Sequence, residues 1–343
     1  MKEAIDMHMA DALVSPAIGG VMIAASGLSL AASIWKERKT YKLDDRKIPV
    51  MGVMSAFVFA AQMINFTIPA TGSSGHIGGG ILLAALLGGG PALVCITAVL
   101  IIQCLLFADG GLLALGCNVF NMGVIPCLVA YPLLFQPILK GGQTKGRIAL
   151  ASVLTVAVGL QLGAFAVVLQ TLASGITKLP FGTFLLLMQP IHLAIGLVEG
   201  LITAAVLIYV HAARPELLDA GRAEAGTKPE ASYKKVLAVL GVLTILVGGG
   251  LSLFASSYPD GLEWSIGKTL SEGESIEEDA TGSAYEAAAR VQEATAVMPD
   301  YAFKDSDSAA GTSVAGIVGS LVTLGLAVGA GAVVARVRRK TSR

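Results

Sequence analysis

Apolar runs too long for most soluble helices constrain this chain more than any other feature. About 20 apolar residues in a row cross the ~30 Å hydrocarbon core of a bilayer. Runs of that order stand at 14–35, 49–69, 112–139, 148–173, 183–210, 235–254 and 313–335. Lipid offers backbone groups no partner, so such runs become helices. The stretch 77–107 is interrupted by Gly88-Gly89-Gly90-Pro91 and reads as two short crossings or a re-entrant hairpin. Only 14% of the 343 residues are charged, where an ordinary soluble domain carries about 25%. The predicted fold class is an all-α polytopic membrane protein: a bundle of about seven helices, followed by a module with two spans.

Lysine and arginine placement orients the spans, because cytoplasmic loops are enriched in both. Lys36, Arg38, Lys39, Lys42, Arg46 and Lys47 mark the 36–47 loop as cytoplasmic, and Lys140, Lys145 and Arg147 mark 140–147. Arg336, Arg338, Arg339, Lys340 and Arg343 place the C-terminus on the same side. The N-terminus, the loop carrying His76 and the 108–111 turn then face outward, in a multi-pass protein of the cell membrane. The strongest basic cluster follows the first span, as expected for an uncleaved span with its N-terminus outside. Three units are expected: 1–213 as a membrane domain, 214–233 as a cytoplasmic linker, and 234–343 as the two-span module. That module's outward loop, 255–312, holds twelve acidic and three basic residues, so a solvated or only partly folded ectodomain is predicted.

Several functions are excluded or disfavoured. The basic clusters are short and each abuts an apolar run, so nucleic acid is not a partner. No GxxxxGK[ST] run exists to cradle ATP. No nucleophile–base arrangement stands out, and neither an enzymatic activity nor an organic cofactor is expected. The four cysteines (Cys95, Cys104, Cys117, Cys127) lie in apolar segments without a CxxC pair and read as small buried hydrophobes.

Two of the four histidines stand in unusual settings. His8 lies in Met7-His8-Met9-Ala10-Asp11-Ala12-Leu13-Val14-Ser15-Pro16, just before the first span, and His76 in Gly72-Ser73-Ser74-Gly75-His76-Ile77-Gly78-Gly79-Gly80. Imidazole is the commonest protein ligand for first-row transition metals. With Met7 as the first residue, its amine, the His8 amide nitrogen and the His8 imidazole would chelate an ion in fused rings. His76 would complete four nitrogens in a plane, a field that suits Ni(II) or Cu(II) and admits Co(II). The chain begins six residues earlier, at Met1, and the chelate calls for Met7 as the start. The plainer reading makes His8 a solvated terminal residue and His76 a loop histidine.

The segment from Met7 to Pro16 resembles the N-terminal signature of the CbiM/NikM family, the cobalt/nickel substrate-binding components of energy-coupling-factor ABC transporters. Gln62-Met63-Ile64-Asn65-Phe66 through Gly72-Ser73-Ser74-Gly75-His76-Ile77-Gly78-Gly79 resembles its second signature, and Gly116-Cys117-Asn118-Val119-Phe120-Asn121-Met122 a third. The likeness covers about 7–213. It implies Co2+ or Ni2+ as transported substrate, with Met7, His8 and His76 as metal ligands. It also implies a transmembrane coupling subunit of the CbiQ/NikQ type and ATP-hydrolysing subunits of the CbiO/NikO type as partners. The six-residue extension departs from the family pattern at the amine ligand. Tyr258-Pro259-Asp260-Gly261-Leu262-Glu263-Trp264 is similar to the PDGLE motif of CbiN/NikN-type accessory subunits, here on the same chain.

Other polar residues have two readings each. Gln62, Asn65, Asn118 and Asn121 would orient ligands or join helices by hydrogen bonds. His192 and Glu199, seven apart, share a helix face and would serve a metal path or helix pairing. Asp11 is expected to cap the first helix ahead of Ser15-Pro16. Met51, Met54, Met63, Met122 and Met188 read as packing residues. Gly20, Ala24, Ala25 and Ser29 form a small-residue face suited to a coupling subunit or to lipid-facing helix packing. Two competing functions stay open: a stand-alone secondary transporter or channel for another cation, and a metal sensor or assembly factor working through 255–312.

Overall fold

The computed structural model describes residues 8–40, 47–218, 232–270, 280–304, 306 and 308–341. Met7 and most of the 214–233 linker lie outside them. The first seven helices are α1 (Pro16–Thr40), α2 (Lys47–Gln62), α3 (Gly80–Leu87), α4 (Gly89–Leu106), α5 (Leu115–Leu139), α6 (Lys145–Ser174) and α7 (Phe181–Ala213). Tyr233–Gly249 (α8), Gly261–Thr269 (α9), Ser283–Thr295 (α10) and Ala310–Thr341 (α11) follow. Among the described residues six helices are long and apolar enough to cross a membrane: α1, α4, α5, α6, α7 and α11. α2 is a shorter apolar helix. α5 is wound wider than an α-helix from Phe120 to Phe135, with i→i+5 spacing and two prolines, Pro126 and Pro132.

The 77–107 stretch resolves into two antiparallel helices of unequal length. The eight residues of α3 rise only about 12 Å, and its chain reverses at Gly88, whose φ of +86° suits glycine alone. Lys47, at the N-terminal end of α2, donates to the Leu87 carbonyl, and Gln62, at the C-terminal end, donates to that of Gly78. α3, about half the length of α2, is thus tied to both ends of that helix through the long Lys47 and Gln62 side chains, which holds the His76 loop against the bundle. The 49–69 run is shorter as a helix than expected. α2 stops at Gln62, and Phe66–Ile68 (β1) turns back antiparallel to Ser73–Gly75 (β2), with Phe66 opposite Gly75. Thr71 fixes the turn: its hydroxyl donates to the Ile68 carbonyl at 2.8 Å and accepts from Ser73 N at 3.0 Å.

α8 and α11 pack against α2, where glycines permit close approach: Gly316 meets the Gly248 backbone, and Gly319 meets the Phe59 ring. The described part of 255–312 departs from the solvated expectation. α9 buries Leu262 and Ile266 beside Met9, Leu13 and Phe184, while Met298 and Tyr301 join the main core with Phe59 and Phe107. Acidic side chains dominate the composition, yet a few well-placed apolar residues seat the segment on the bundle.

Candidate metal centre

The arm carrying His8 lies folded across one end of the bundle. Asn118, in the first turn of α5, grips the Met9 backbone twice: Oδ1 accepts from Met9 N at 3.0 Å, and Nδ2 donates to Met9 O at 3.1 Å. Gly111 N also donates to Met9 O, at 3.1 Å. Asp11 does not cap α1, contrary to the expectation. The fold-back sets its carboxylate over the turn leading into α5, where Oδ1 accepts from Ala114 N at 3.0 Å. Ser15 Oγ, accepting from Ile18 N, takes the start of α1 instead. Burial pushes the Asp11 pKa above the ordinary carboxylate value, against the amides of Ala114, Leu113 and Leu112.

His8 itself is 3% exposed. Its Nδ1 lies 2.9 Å from Asp109 Oδ1, and the other oxygen of that carboxylate accepts from the Tyr301 hydroxyl at 2.5 Å. Burial opposes the Asp109 charge, but His8, Tyr301 and the nearby His76 outweigh it and hold its pKa below the ordinary value. His8 Nε2 is buried and has no hydrogen-bond partner. Such orphaned groups are rare in native interiors and call for a ligand. Gly110 makes the approach possible: its φ is +79°, and a Cβ there would stand 2.8 Å from His8 Cβ.

The His76 loop is fixed from below. Both oxygens of Glu199, a residue 1% exposed on α7, accept backbone amides: Gly78 N at 2.8 Å and Gly79 N at 2.9 Å. Gln62 Nε2 donates to Gly78 O at 2.8 Å and is oriented in turn by Gln103. His76 Nδ1 faces Ile77 O at 3.1 Å. The two imidazoles meet with centroids 5.4 Å apart, planes tilted 53°. With metal–nitrogen bonds of about 2 Å, rings this close fit on one ion.

Both rings line a cavity of about 120 Å³ that continues between α5, α6 and α7 past Asn121, Met188 and His192. His192 Nδ1 donates to Met188 O of its own helix at 2.8 Å. Glu199 lines the same cavity, as its shared face with His192 implies. Asn121 pairs its amide with Gln170 of α6, a helix-joining bond. Asn65 stays with the hairpin, its carbonyl accepting from Ser256 N at 2.7 Å. Of the four amide side chains, Gln62 and Asn118 hold histidine-bearing segments.

The Pro259-to-Glu263 motif caps this assembly. Asp260 Oδ1 accepts from Leu262 N and Glu263 N and so begins α9. The Pro259 carbonyl accepts from Ser74 N at 2.8 Å, joining the motif to the His76 hairpin. Gly261 and Leu262 face the cavity. Sequence reasoning missed Asp109, Gly110 and Tyr301, since Asp109-Gly110 reads as an ordinary turn and nothing local links it to a tyrosine 192 positions away.

Among the described residues no three His, Cys, Asp or Glu side chains group as an ion would require. Cys95, Cys104, Cys117 and Cys127 are buried, and no disulfide joins cysteines among the described residues.

Residues 8–217 match the family described as CbiM, cobalt uptake substrate-specific transmembrane region, and 234–336 match the PDGLE domain. The chain is 30% identical to the fused nickel transport protein NikMN of Rhodobacter capsulatus, over 86% of this chain and 88% of that one. It is 32% identical to a candidate fused nickel transport protein NikMN of Archaeoglobus fulgidus, over 93% and 96%. A crystal structure of a truncated transition metal transporter aligns with a TM-score of 0.52 at 32% identity, covering 59% of this chain and 97% of that one. With its matching helical bundle and a PDGLE domain on the same polypeptide, the chain belongs to the CbiM family of membrane transport proteins.

Proposed function

We propose that this chain captures Co(II) or Ni(II) outside the membrane as the substrate-binding component of an energy-coupling-factor importer. The observation that carries the reading is the meeting of His8 and His76 over one cavity, with a buried nitrogen of His8 lacking any other partner. His8 and His76 supply imidazoles, and Met7 supplies an amine where the mature chain begins there. The names of the relatives support nickel or cobalt as cargo. Fused chelate rings through the His8 amide would use Nδ1, the nitrogen that meets Asp109 in this structure. Chelation in that form requires the ring to turn, with Asp109 taking Nε2 instead.

The chain carries no P-loop, so ATP hydrolysis falls to partner subunits, reached through a transmembrane coupling subunit. α1 suits that contact. It is the least buried of the six long spans, at 17% of its apolar window, and turns Gly20, Ala24 and Leu28 outward. The N-terminus lies outside and the C-terminus inside, as the basic loops indicate.

Uptake of Ni(II) and Co(II) into cells expressing the chain tests the reading. Uptake is expected only with coupling and ATPase subunits co-expressed, and His76→Ala abolishes it with most of the bound metal. Uptake by this chain alone, collapsed by an uncoupler, would establish a secondary transporter instead. Unchanged metal stoichiometry in His76→Ala would refute the site.

A further inference from the structure

Asp109 sets a carboxylate beside the paired imidazoles, and its surroundings suggest a job distinct from ligation. Oδ1 meets His8 and Oδ2 meets the Tyr301 hydroxyl. Tyr301 is itself fixed with care. Its ring stacks on Phe107, with centroids 4.8 Å apart and planes 14° from parallel, and Phe59 stands beside both. The strand of chain before it hangs on α4: Val297 N and Met298 N donate to Leu106 O, and Asp300 N donates to Phe107 O at 2.9 Å. Asp300 and Tyr301 both adopt left-handed backbone, φ 52° and 57°, an uncommon state for residues other than glycine. Surrounding contacts must hold that conformation in place. Farther along the same segment, Gln292 of α10 donates to the Gly110 carbonyl at 2.9 Å. The C-terminal segment thus grips the Asp109-Gly110 turn from two sides.

We propose that Tyr301 is a specificity-determining positioning residue: it ties down Asp109 so that this carboxylate orients His8 and stays out of the ion's own coordination. The idea rests on the reading that an ion sits between His8 and His76. A carboxylate this close to both imidazoles is a ready oxygen donor, and oxygen donors favour harder ions such as Mn(II), whereas imidazoles favour Ni(II) and its neighbours. A carboxylate that holds the far nitrogen of a ligating histidine fixes its ring and raises its donor strength. Occupying the second oxygen with the Tyr301 hydroxyl keeps Asp109 in that role. The metal site within the bundle then owes its nitrogen character to a residue of the C-terminal segment.

The test uses the full chain in detergent, with Ni(II) and Mn(II) as probes, followed by equilibrium binding and by the electronic spectrum of bound Ni(II). Tyr301→Phe should still bind Ni(II), but its absorption bands should move to lower energy as oxygen replaces nitrogen field. The preference for Ni(II) over Mn(II) should fall about tenfold. Tyr301→Phe combined with Asp109→Asn should restore the spectrum, because the competing carboxylate is gone. Asp109→Glu, which extends the acid past the hydroxyl's hold, should shift the bands as Tyr301→Phe does and serves if that variant folds poorly. A wild-type spectrum and preference in Tyr301→Phe, or a shifted spectrum persisting in the double variant, overturns the proposal. If His76→Ala retains native Ni(II) binding, the site reading itself has failed, a result separate from either.

Discussion

His76 stands on a loop held from inside the bundle, by two oxygens of Glu199 and the amide of Gln62. His8 stands on an arm held from the rim, by Asn118 along its backbone and by Asp109 at its ring. The first set of holders belongs to α2 and α7. The second draws on α5, on the turn before it and, through Tyr301, on the C-terminal segment. One imidazole is therefore a post built into the membrane domain, and the other an arm closed over it by contacts between modules. The post is fixed within one domain, while the arm depends on contacts that reach the C-terminal segment.

Removing the Glu199 anchor should have the largest effect. Glu199→Ala leaves the Gly78 and Gly79 amides buried without their acceptor, a loss of about 3 kcal/mol. Thermal melting should drop sharply and Ni(II) affinity should fall with it; a native melting curve would show that the loop stands without its anchor. Gly110→Ala attacks the arm instead. The new methyl meets His8 Cβ at 2.8 Å in a left-handed backbone, so about 1–3 kcal/mol of strain is expected. Metal affinity should suffer more than global stability there, and the reverse ranking would mean the arm is as integral as the post. The smallest effect belongs to Tyr285→Phe, which removes a single bond to the Val14 carbonyl at the rim. Stability should change by less than about 1 kcal/mol, and a larger loss by melting would make α10 a principal clamp on the arm.

The comparison also explains what could be read from the chain beforehand. Spans follow from the length of apolar runs, so α1, α5, α6, α7 and α11 were legible within a few residues, while the broken run 77–107 left α4 open. His8 and His76 were legible because glycines and a chain terminus are odd company for histidine beside a membrane. Glu199 was half legible, since an acid inside an apolar run calls for a partner, but which amides it would serve depended on how α3 reverses. Asp109 and Tyr301 gave no local signal, because their meeting is a product of tertiary packing. The acidic loop misled for a physical reason: Leu262, Ile266, Met298 and Tyr301 are too sparse to show as a periodic face, yet each finds a buried seat.

X-ray absorption on the purified chain loaded with one Ni(II) tests the centre most directly. The expected spectrum has nitrogen neighbours at about 2 Å with the outer-shell scattering of two imidazoles, reduced to one imidazole in His76→Ala. A shell of oxygen or sulfur alone, or a spectrum indifferent to loss of His76, would contradict it.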